Sequence, residues 1–355
     1  MGGGEYRVFR RFRLLIYVDL VQDIDVLLPV LLRARTRPGL SLGIVVARWL
    51  EAAAPRVTAL LRHHALPYRT IPRRRVIEGQ GPSLWRVDGL LTASESDQDT
   101  HRAGHALTIR ARQNGLATFT LQHGIDSLAP PEAPEIDFAS EFILSWFGDD
   151  GVPEAVSPDI RARLVPVGRP VLPREAGDAQ YDIGLFENLH AARYSEEDRR
   201  SFLDRAIGLI RHRPDLSFYV RPHPAGPGDG WSDLGVEHLA NVTLVSPAQA
   251  VRSPLSGAAA VAGARRIIIT PSTVALDAAM AGRPVALAFA GGPLYSGLPV
   301  LQSEADWLDF AAHTDTTSGE AFLAPFRIDD DPAGSVVDHL MTTLALSPRV
   351  TSRRM

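Results

Sequence analysis

The sequence predicts an α/β protein with two doubly wound parallel sheets that face each other across a cleft. Short apolar runs alternate with amphipathic helical segments along the chain, as parallel βαβ folds require. The length of 355 residues suits two domains of about 150 to 170 residues each. We assign residues 1–171 to the first domain and 181–355 to the second. The aperiodic segment 172–180, with Pro173 and Gly177, serves as the linker.

Composition excludes several classes of protein and of site. A net charge of −4 and an isoelectric point near 6.3 argue against a general nucleic-acid binder. The chain has no cysteine, which excludes disulfides and thiolate metal sites and favours the cytosol. All 37 basic residues are Arg, so a P-loop lysine, a Schiff-base lysine and a Ser–Lys dyad are excluded. No Gly-x-Gly-x-x-Gly follows a predicted strand, which argues against a dinucleotide site.

The first domain is predicted element by element from apolar runs and their breakers. Asp99 or Thr100 caps the third helix, and Gly115 ends it. The predicted strands and helices, in chain order, are strand 14–18, helix 25–35, strand 42–46, helix 49–64, the extended segment 67–72, strand 90–92, helix 101–114, strand 117–121 and strand 142–147.

Gln122, His123 and Gly124 follow directly on the predicted strand 117–121. Ligands collect at the carboxyl ends of strands in open α/β sheets, and an imidazole with an ordinary pKa near ~6.5 suits a general base. The alternative for His123 is a buried histidine bonded to a backbone carbonyl. Asp126 orients His123 or replaces it as the base, and Glu95 is a weaker candidate from the neighbouring strand end.

The second domain repeats the pattern, with polar residues again at strand ends. Glu187 and Asn188 end its first strand, and Arg221-Pro222-His223-Pro224 ends the next one. Two prolines hold that backbone extended, so that Arg221 and His223 are presented at a strand end, where both can donate to phosphate oxygens. The predicted elements are strand 181–186, a helix from Ser195 to before Pro214, strand 216–220, strand 241–245, a helix around Ala258, helix 307–312 and helix 336–346.

The segment 266–289 predicts one strand–turn–helix–strand unit. Ile267 to Ile269 form a β-branched run typical of a strand buried on both faces. Ser272 or Thr273 is expected to cap the following helix, which ends at Gly282. Hydroxyl and backbone N–H donors at such a turn favour a phosphate, and Asp277, one turn deeper, could accept from ribose hydroxyls. An ordinary capped helix with a solvated Asp explains the same spacing.

The run from Thr270 to Val285 resembles the donor-nucleotide motif of GT-B glycosyltransferases: a Ser/Thr turn, an acidic residue on the helix, then Gly-x-Pro-Val. With the Gln-His-Gly strand end and the His-Pro pair, it resembles bacterial surface-polysaccharide transferases of the capsule, Kdo and teichoic acid type. The resemblance implies two Rossmann-like domains. It also implies donor-binding residues, Arg221, His223, Ser272, Thr273, Asp277, Glu187 and Asn188; catalytic residues, His123 and Asp126; and acceptor-side residues, Gln122 and Glu95.

The leading hypothesis is a metal-independent, inverting transferase that moves a sugar or polyol phosphate from a nucleotide-activated donor to a hydroxyl acceptor. No cofactor is expected, because the activated donor is a substrate. A nucleotide-sugar epimerase of the same fold is the first alternative, and a degenerate transferase acting as a scaffold is the second. We expect a cytoplasmic protein. Its N-terminal arm contains Arg7, Arg10, Arg11 and Arg13. The arm is either a solvated lead into the first strand or a contact with anionic lipid headgroups at the inner face of the membrane or with a lipid-linked acceptor.

Overall fold

The computed structural model describes residues 11–131, 133, 135–172, 179–189, 194–223, 230–253, 257–313 and 317–347. Within these residues the chain forms two sheets in which neighbouring strands are parallel. The first sheet contains β1 Phe12–Val18, β2 Leu40–Ala47, β3 Tyr68–Ile71, β4 Gly89–Thr92, β5 Ala117–Leu121, β6 Phe142–Ser145 and β7 Leu164–Pro166. The second contains β8 Tyr181–Phe186, β9 Phe218–Arg221, β10 Val242–Leu244, β11 Ala264–Ile269 and β12 Val285–Leu287.

Both sheets reverse their strand order beside their first strand. The first sheet runs β3-β2-β1-β4-β5-β6-β7, and the second runs β10-β9-β8-β11-β12. The chain therefore leaves β1 in one direction and returns on its other side at β4, and it does the same around β8 and β11. A crevice opens at the carboxyl ends of the strands at such a reversal, and ligands of α/β proteins bind there. The doubly wound fold predicted from the sequence is confirmed.

Helices connect the strands. The predicted helix 49–64 is divided into two helices between Ala53 and Pro55, and neither Asp99 nor Thr100 caps the helix before Gly115, because residues 99–101 form a 3₁₀ turn ahead of it. The helices are α1 Asp23–Arg35, α2 Trp49–Ala53, α3 Pro55–His63, α4 Arg73–Ile77, α5 Arg102–Gln113, α6 Pro158–Arg161, α7 Glu196–His212, α8 Gly230–Asp233, α9 Pro247–Ala250, α10 Gly257–Ala262, α11 Val274–Met280, α12 Glu304–Ala312, α13 Thr317–Leu323 and α14 Pro332–Leu346. Short 3₁₀ turns lie at Asp99–His101, Val236–His238 and Pro293–Tyr295.

The unit predicted at residues 266–289 is present as β11, α11 and β12. Ile267, Ile268 and Ile269 are fully buried, because the parallel strands β8 and β12 flank β11 and both faces of the sheet are covered. Gly282 ends the helix in the left-handed conformation, with φ of +62°. The local pattern of the sequence was therefore sufficient to place this unit.

The C-terminal segment returns to the first domain, so the assignment of residues 181–355 to the second domain needs correction. Phe326 stacks on Phe147 of the first domain with ring centroids 5.1 Å apart, and the N–H of Arg327 donates to the carbonyl of Trp146. Helix α14 then packs on α1, with the ring of His339 5.3 Å from that of Phe142 on β6. Burial of the apolar face of α14 against the first sheet accounts for this crossing.

Two expectations fall partly or wholly outside the described residues. Residues 1–10 contain Arg7 and Arg10 of the Arg-rich arm, and residues 173–178 contain most of the proposed linker. Among the described residues, no helix combines the length and the hydrophobicity needed to cross a bilayer.

Candidate functional site

The first sheet places His123 at the end of β5, one strand away from the reversal between β1 and β4. His123 follows β5, and its Nδ1 lies 3.0 Å from the carbonyl oxygen of Ala93, which follows β4. Because a carbonyl only accepts, Nδ1 carries the proton, and the neutral ring has its lone pair on Nε2. His123 as a whole residue is partly exposed, and it follows the last residue of β5 at the edge of the sheet.

The surroundings of His123 favour its neutral form. Burial lowers the pKa of His123, and the hydrogen bond to Ala93 and the carboxylate of Asp126 oppose that shift only in part. The ring of His101 packs edge-on against it, with centroids 5.1 Å apart. A neutral imidazole that is oriented by its Nδ1 donor has the form that a general base requires near pH 7. The bond to Ala93 also matches the structural alternative, so this geometry is compatible with both interpretations.

Gln122 shapes the loop after β5 from inside. It is almost fully buried, and its Nε2 donates to the carbonyls of Gly124 (2.9 Å) and Ile125 (3.4 Å). Its Oε1 accepts the backbone N–H of Trp146 at 2.8 Å. Both ends of the amide are therefore engaged with the backbone. The expectation that Gln122 binds an acceptor is corrected to a role in holding the loop that carries His123.

Glu95 is also a structural residue in this geometry. It is fully buried, and its carboxylate accepts the N–H of Ala139 (2.8 Å), the hydroxyl of Ser140 (2.8 Å) and Nδ1 of His105 (2.8 Å). The bond to Glu95 raises the pKa of His105. Because Glu95 is enclosed by these donors, we no longer propose it as an acceptor-binding group.

The second sheet gathers Glu187, Asn188 and the turn after β11 at its own reversal. The backbone N–H of Asn188 donates to Oγ1 of Thr270 at 2.7 Å, which joins the ends of β8 and β11. Glu187 accepts from the indole N–H of Trp231 at 2.9 Å, and burial raises the pKa of Glu187. The side-chain oxygen of Asn188 is shielded from solvent and has no hydrogen-bond partner among the described residues.

Arg221 and His223 lie beside this reversal. Arg221 pairs with Phe186 at the end of the neighbouring strand β8, and its carbonyl accepts the N–H of Glu187. His223 is partly exposed. Pro224, the second proline of the predicted motif, lies outside the described residues.

The two rims touch each other through Thr273. The backbone N–H of Ile125, two residues after His123, donates to Oγ1 of Thr273 at 3.1 Å. A side chain on Gly124 would lie within 4 Å of both this hydroxyl and the carboxylate of Asp126. The loop of the first domain that carries His123 and Asp126 therefore meets the turn of the second domain that carries Ser272 and Thr273. No local pattern in the sequence predicts this contact, because Ile125 and Thr273 lie 148 residues apart in the chain.

The predicted cap of α11 is wrong. Thr273 precedes the helix, but its side chain makes no capping hydrogen bond, because its hydroxyl accepts from Ile125 instead. Its O–H hydrogen remains able to donate to a ligand. Ser272 and Thr273 are both partly exposed, so a ligand can reach them.

Asp277 also has a different partner from the one we expected. It is almost fully buried and forms a two-point ion pair with Arg169, whose Nε and Nη2 lie 3.0 and 2.9 Å from the carboxylate oxygens. The guanidinium of Arg169 also lies over the ring of Trp146, 4.5 Å from its centroid. The proposed ribose contact is therefore replaced by an ion pair between the domains.

Sequence reasoning missed a buried acidic pair at the end of β1. Asp23 accepts the N–H groups of Asp19 (2.8 Å) and Leu20 (2.9 Å) and the hydroxyl of Ser94. Asp19 pairs with Arg73 at 2.9 Å and accepts the hydroxyl of Tyr17. Burial raises the pKa of Asp23 to about 6. The sequence places Asp19 at the end of a predicted strand, but it does not indicate that Arg73 and Tyr17 surround the carboxylate.

His101 should make folding stability sensitive to acid. Burial lowers the pKa of His101 to about 3, so the unfolded state binds the proton first, and stability falls as the pH drops below about 6.5. Between pH 7 and 4.5 we expect this residue to contribute a loss of about 2 to 3 kcal/mol. His101→Asn, which keeps a donor for Ser96 but cannot titrate, should remove that part of the pH dependence in urea unfolding. Parallel pH profiles for the two proteins would contradict this assignment.

Comparison with known proteins gives the fold. No protein-family model and no curated protein matches the sequence. A putative UDP-N-acetylglucosamine 2-epimerase from Listeria monocytogenes matches with a TM-score of 0.62 and 10% identity, over 94% of this chain and 96% of that chain. The Methanocaldococcus jannaschii UDP-GlcNAc 2-epimerase in complex with UDP-GlcNAc and UDP matches with a TM-score of 0.62 and 12% identity, over 93% of this chain and 100% of that chain. The glycotransferase of kitacinnamycin matches with a TM-score of 0.59 and 12% identity, over 94% of this chain and 99% of that chain.

The chain has the GT-B fold. At 10 to 12% identity, the likeness extends to the fold alone. The narrower resemblance to His-Pro capsule transferases stays a prediction, as do the absence of a cofactor and of a metal.

Proposed function

We propose that the chain is an enzyme that binds a nucleotide-activated sugar in the cleft and activates the bond between the sugar and the nucleotide. The observation that carries this proposal is the hydrogen bond from Ile125 to Thr273, which sets the loop of His123 against the turn of Ser272 and Thr273. Proteins with the same fold bind UDP-GlcNAc and UDP, which supports a nucleotide-sugar as the ligand.

The second domain supplies the groups that suit the nucleotide. The hydroxyls of Ser272 and Thr273, with Arg221 and His223, would donate to the phosphates as negative charge develops on the leaving nucleotide. Each well-placed donor of this kind contributes roughly 3 to 4 kcal/mol to stabilisation of the transition state.

The first domain supplies the base. His123 would take a proton through Nε2, and general base catalysis of this kind contributes about 10²–10⁴ in rate. Asp126 lies close enough to favour the protonated imidazole that forms. This division places proton transfer on one rim and phosphate binding on the other.

Activation of the bond between the sugar and the nucleotide is the first step of two reactions, epimerisation and transfer. A different observation favours each of them. The structural neighbours favour epimerisation, because UDP-GlcNAc 2-epimerases match over nearly the whole chain. The side chains favour transfer to an acceptor hydroxyl, because an epimerase needs several carboxylates in the cleft, whereas Glu95 is enclosed and Glu187 is held by Trp231. Asp126 is then the remaining carboxylate among those that we had proposed for the cleft.

Incubation with labelled nucleotide-sugars separates these outcomes. An epimer formed without any acceptor would establish epimerisation, and labelled product formed only with a saccharide or lipid-linked acceptor would establish transfer. Before that, a thermal-shift series with UDP, GDP, CDP and CMP should identify a stabilising nucleotide. We expect His223→Ala to weaken its binding by about tenfold, and exposed His238→Ala to leave it unchanged. Absence of binding by every nucleotide would favour the scaffold and contradict the proposal.

A further inference from the structure

An exposed turn of the first domain displays a tryptophan and an arginine. The N–H of Val87 donates to the carbonyl of Leu84 and closes a turn with Trp85 and Arg86 at its centre. Val87 is buried and Leu84 packs on the core, whereas the side chain of Trp85 is 74% exposed. Arg86 is in the left-handed conformation, with φ of +59°, which is unfavourable for a residue other than glycine. The buried flanks hold this turn in a shape that directs Trp85 and Arg86 outward.

The surroundings of the turn are strongly basic. Residues 69–86 contain five arginines and one glutamate, a local charge of +4, although the whole chain has a net charge of −4. Glu78 is paired with Arg74 at 2.6 Å, and Arg73 is engaged with Asp19. The side chain of Arg74 is 87% exposed, and Arg75 and Arg86 are exposed too. Arg74, Arg75 and Arg86 therefore add positive charge to the surface that residues 69–86 form.

A depression lies beside this turn. It has a volume of about 480 Å³ and is lined by residues 79–85, Arg110 of α5 and Asn114, which directly follows that helix. Arg110 donates to the carbonyl of Pro82 at 2.8 Å, which fixes the loop to the end of α5. An additional cation thus borders a concave surface large enough for a phosphate headgroup.

We propose that this Trp85 turn, with its arginines, binds the anionic headgroups of a membrane surface. Indole rings settle at the boundary between headgroups and acyl chains, and guanidinium groups bind phosphate by paired hydrogen bonds. A single weak membrane-binding feature gives only marginal binding, whereas two such features together give stable binding. Here an aromatic side chain, Trp85, and a basic side chain, Arg86, occur on one turn. The N–H of Arg13 also donates to Asp88 at 2.8 Å, so the start of β1, where the N-terminal Arg arm enters, is adjacent to it.

Vesicle binding by the full chain tests this inference. Co-sedimentation should show binding to phosphatidylcholine vesicles that contain phosphatidylglycerol and little binding to phosphatidylcholine alone. Trp85→Ala should lower the partition coefficient at least ~10-fold, and Arg86→Gln should lower it about 5-fold. Arg265→Gln, at an exposed arginine of the second sheet, is the matched control and should bind like the wild type. Circular dichroism verifies that each variant is folded.

Quenching by brominated lipid identifies the tryptophan at the surface. Trp146, Trp231 and Trp307 are buried, so Trp85→Phe should abolish quenching and Trp49→Phe should retain it. Equal binding to neutral and anionic vesicles would overturn the inference. So would unchanged binding by Trp85→Ala when glutamines at Arg7, Arg10 and Arg11 abolish it, because the arm would then act alone. Concentration-dependent dimerisation that Trp85→Ala removes, without vesicle binding, would assign the surface to a second copy of the chain.

Discussion

Replacing His123 with Ala should lower turnover by about 10²–10⁴ while leaving nucleotide affinity within about twofold. The two effects separate because His123 follows a strand of the first sheet, whereas the groups proposed to bind the nucleotide follow strands of the second sheet. Steady-state kinetics on the nucleotide-sugar found in the labelling assay gives the rate, and calorimetric titration of the nucleotide gives the affinity.

A second substitution separates catalysis from structure at the same position. The side-chain amide of His123→Asn can still donate to the carbonyl of Ala93, as Nδ1 does in the wild type, but it has no base in the place of Nε2. It should therefore be as inactive as His123→Ala and more stable. His313→Ala, at an exposed site, should keep full activity. If His123→Asn retains activity, or if His123→Ala loses nucleotide binding as well, the imidazole has a structural role.

Asp277→Asn should destabilise the protein by about 3 to 5 kcal/mol, because it leaves the buried guanidinium of Arg169 without its counter-charge. Asn has nearly the shape of Asp, so packing changes little. Urea unfolding measures the change in the free energy of unfolding. Asp159→Asn removes an exposed partner of Arg163 and should cost no more than about 1 kcal/mol.

The double variant Arg169→Met with Asp277→Leu tests whether charge is the cause. It removes both buried charges and should recover most of the lost stability, as apolar replacements of buried ion pairs often do. A loss below about 1 kcal/mol for Asp277→Asn would show that Arg169 has sufficient alternative partners. Because Asp277 lies one helical turn after Thr273, we also expect Asp277→Asn to loosen the contact between Thr273 and Ile125.

Local pattern was enough to predict the fold, and parts of the site followed from it. The buried run Ile267–Ile269, the helix that starts after Thr273 and the polar residues at strand ends all depend on residues near in sequence. Since parallel strands end at one edge of a sheet, His123, Glu187, Ser272 and Thr273 could be assigned to the rims of the cleft before any coordinates.

Partners distant in sequence could not be predicted in the same way. Spacing indicates which helical face Asp277 occupies, but not that Arg169, 108 residues earlier, meets it there. Glu95 and Gln122 looked available because strand ends are usually open, and only the folded chain shows the backbone groups that enclose them. The return of α14 to the first sheet is likewise a matter of tertiary packing, which an amphipathic pattern alone does not specify.

The proposed cleft is tested most directly by a crystal structure of the chain with UDP bound. We predict that the diphosphate lies within about 3 Å of the hydroxyl of Ser272 or Thr273 and of a donor on Arg221 or His223. Its sugar-side oxygen should face the loop of His123. UDP bound away from the Ser272–Thr273 turn, or bound there with the imidazole of His123 closed off from the sugar side, would contradict the account.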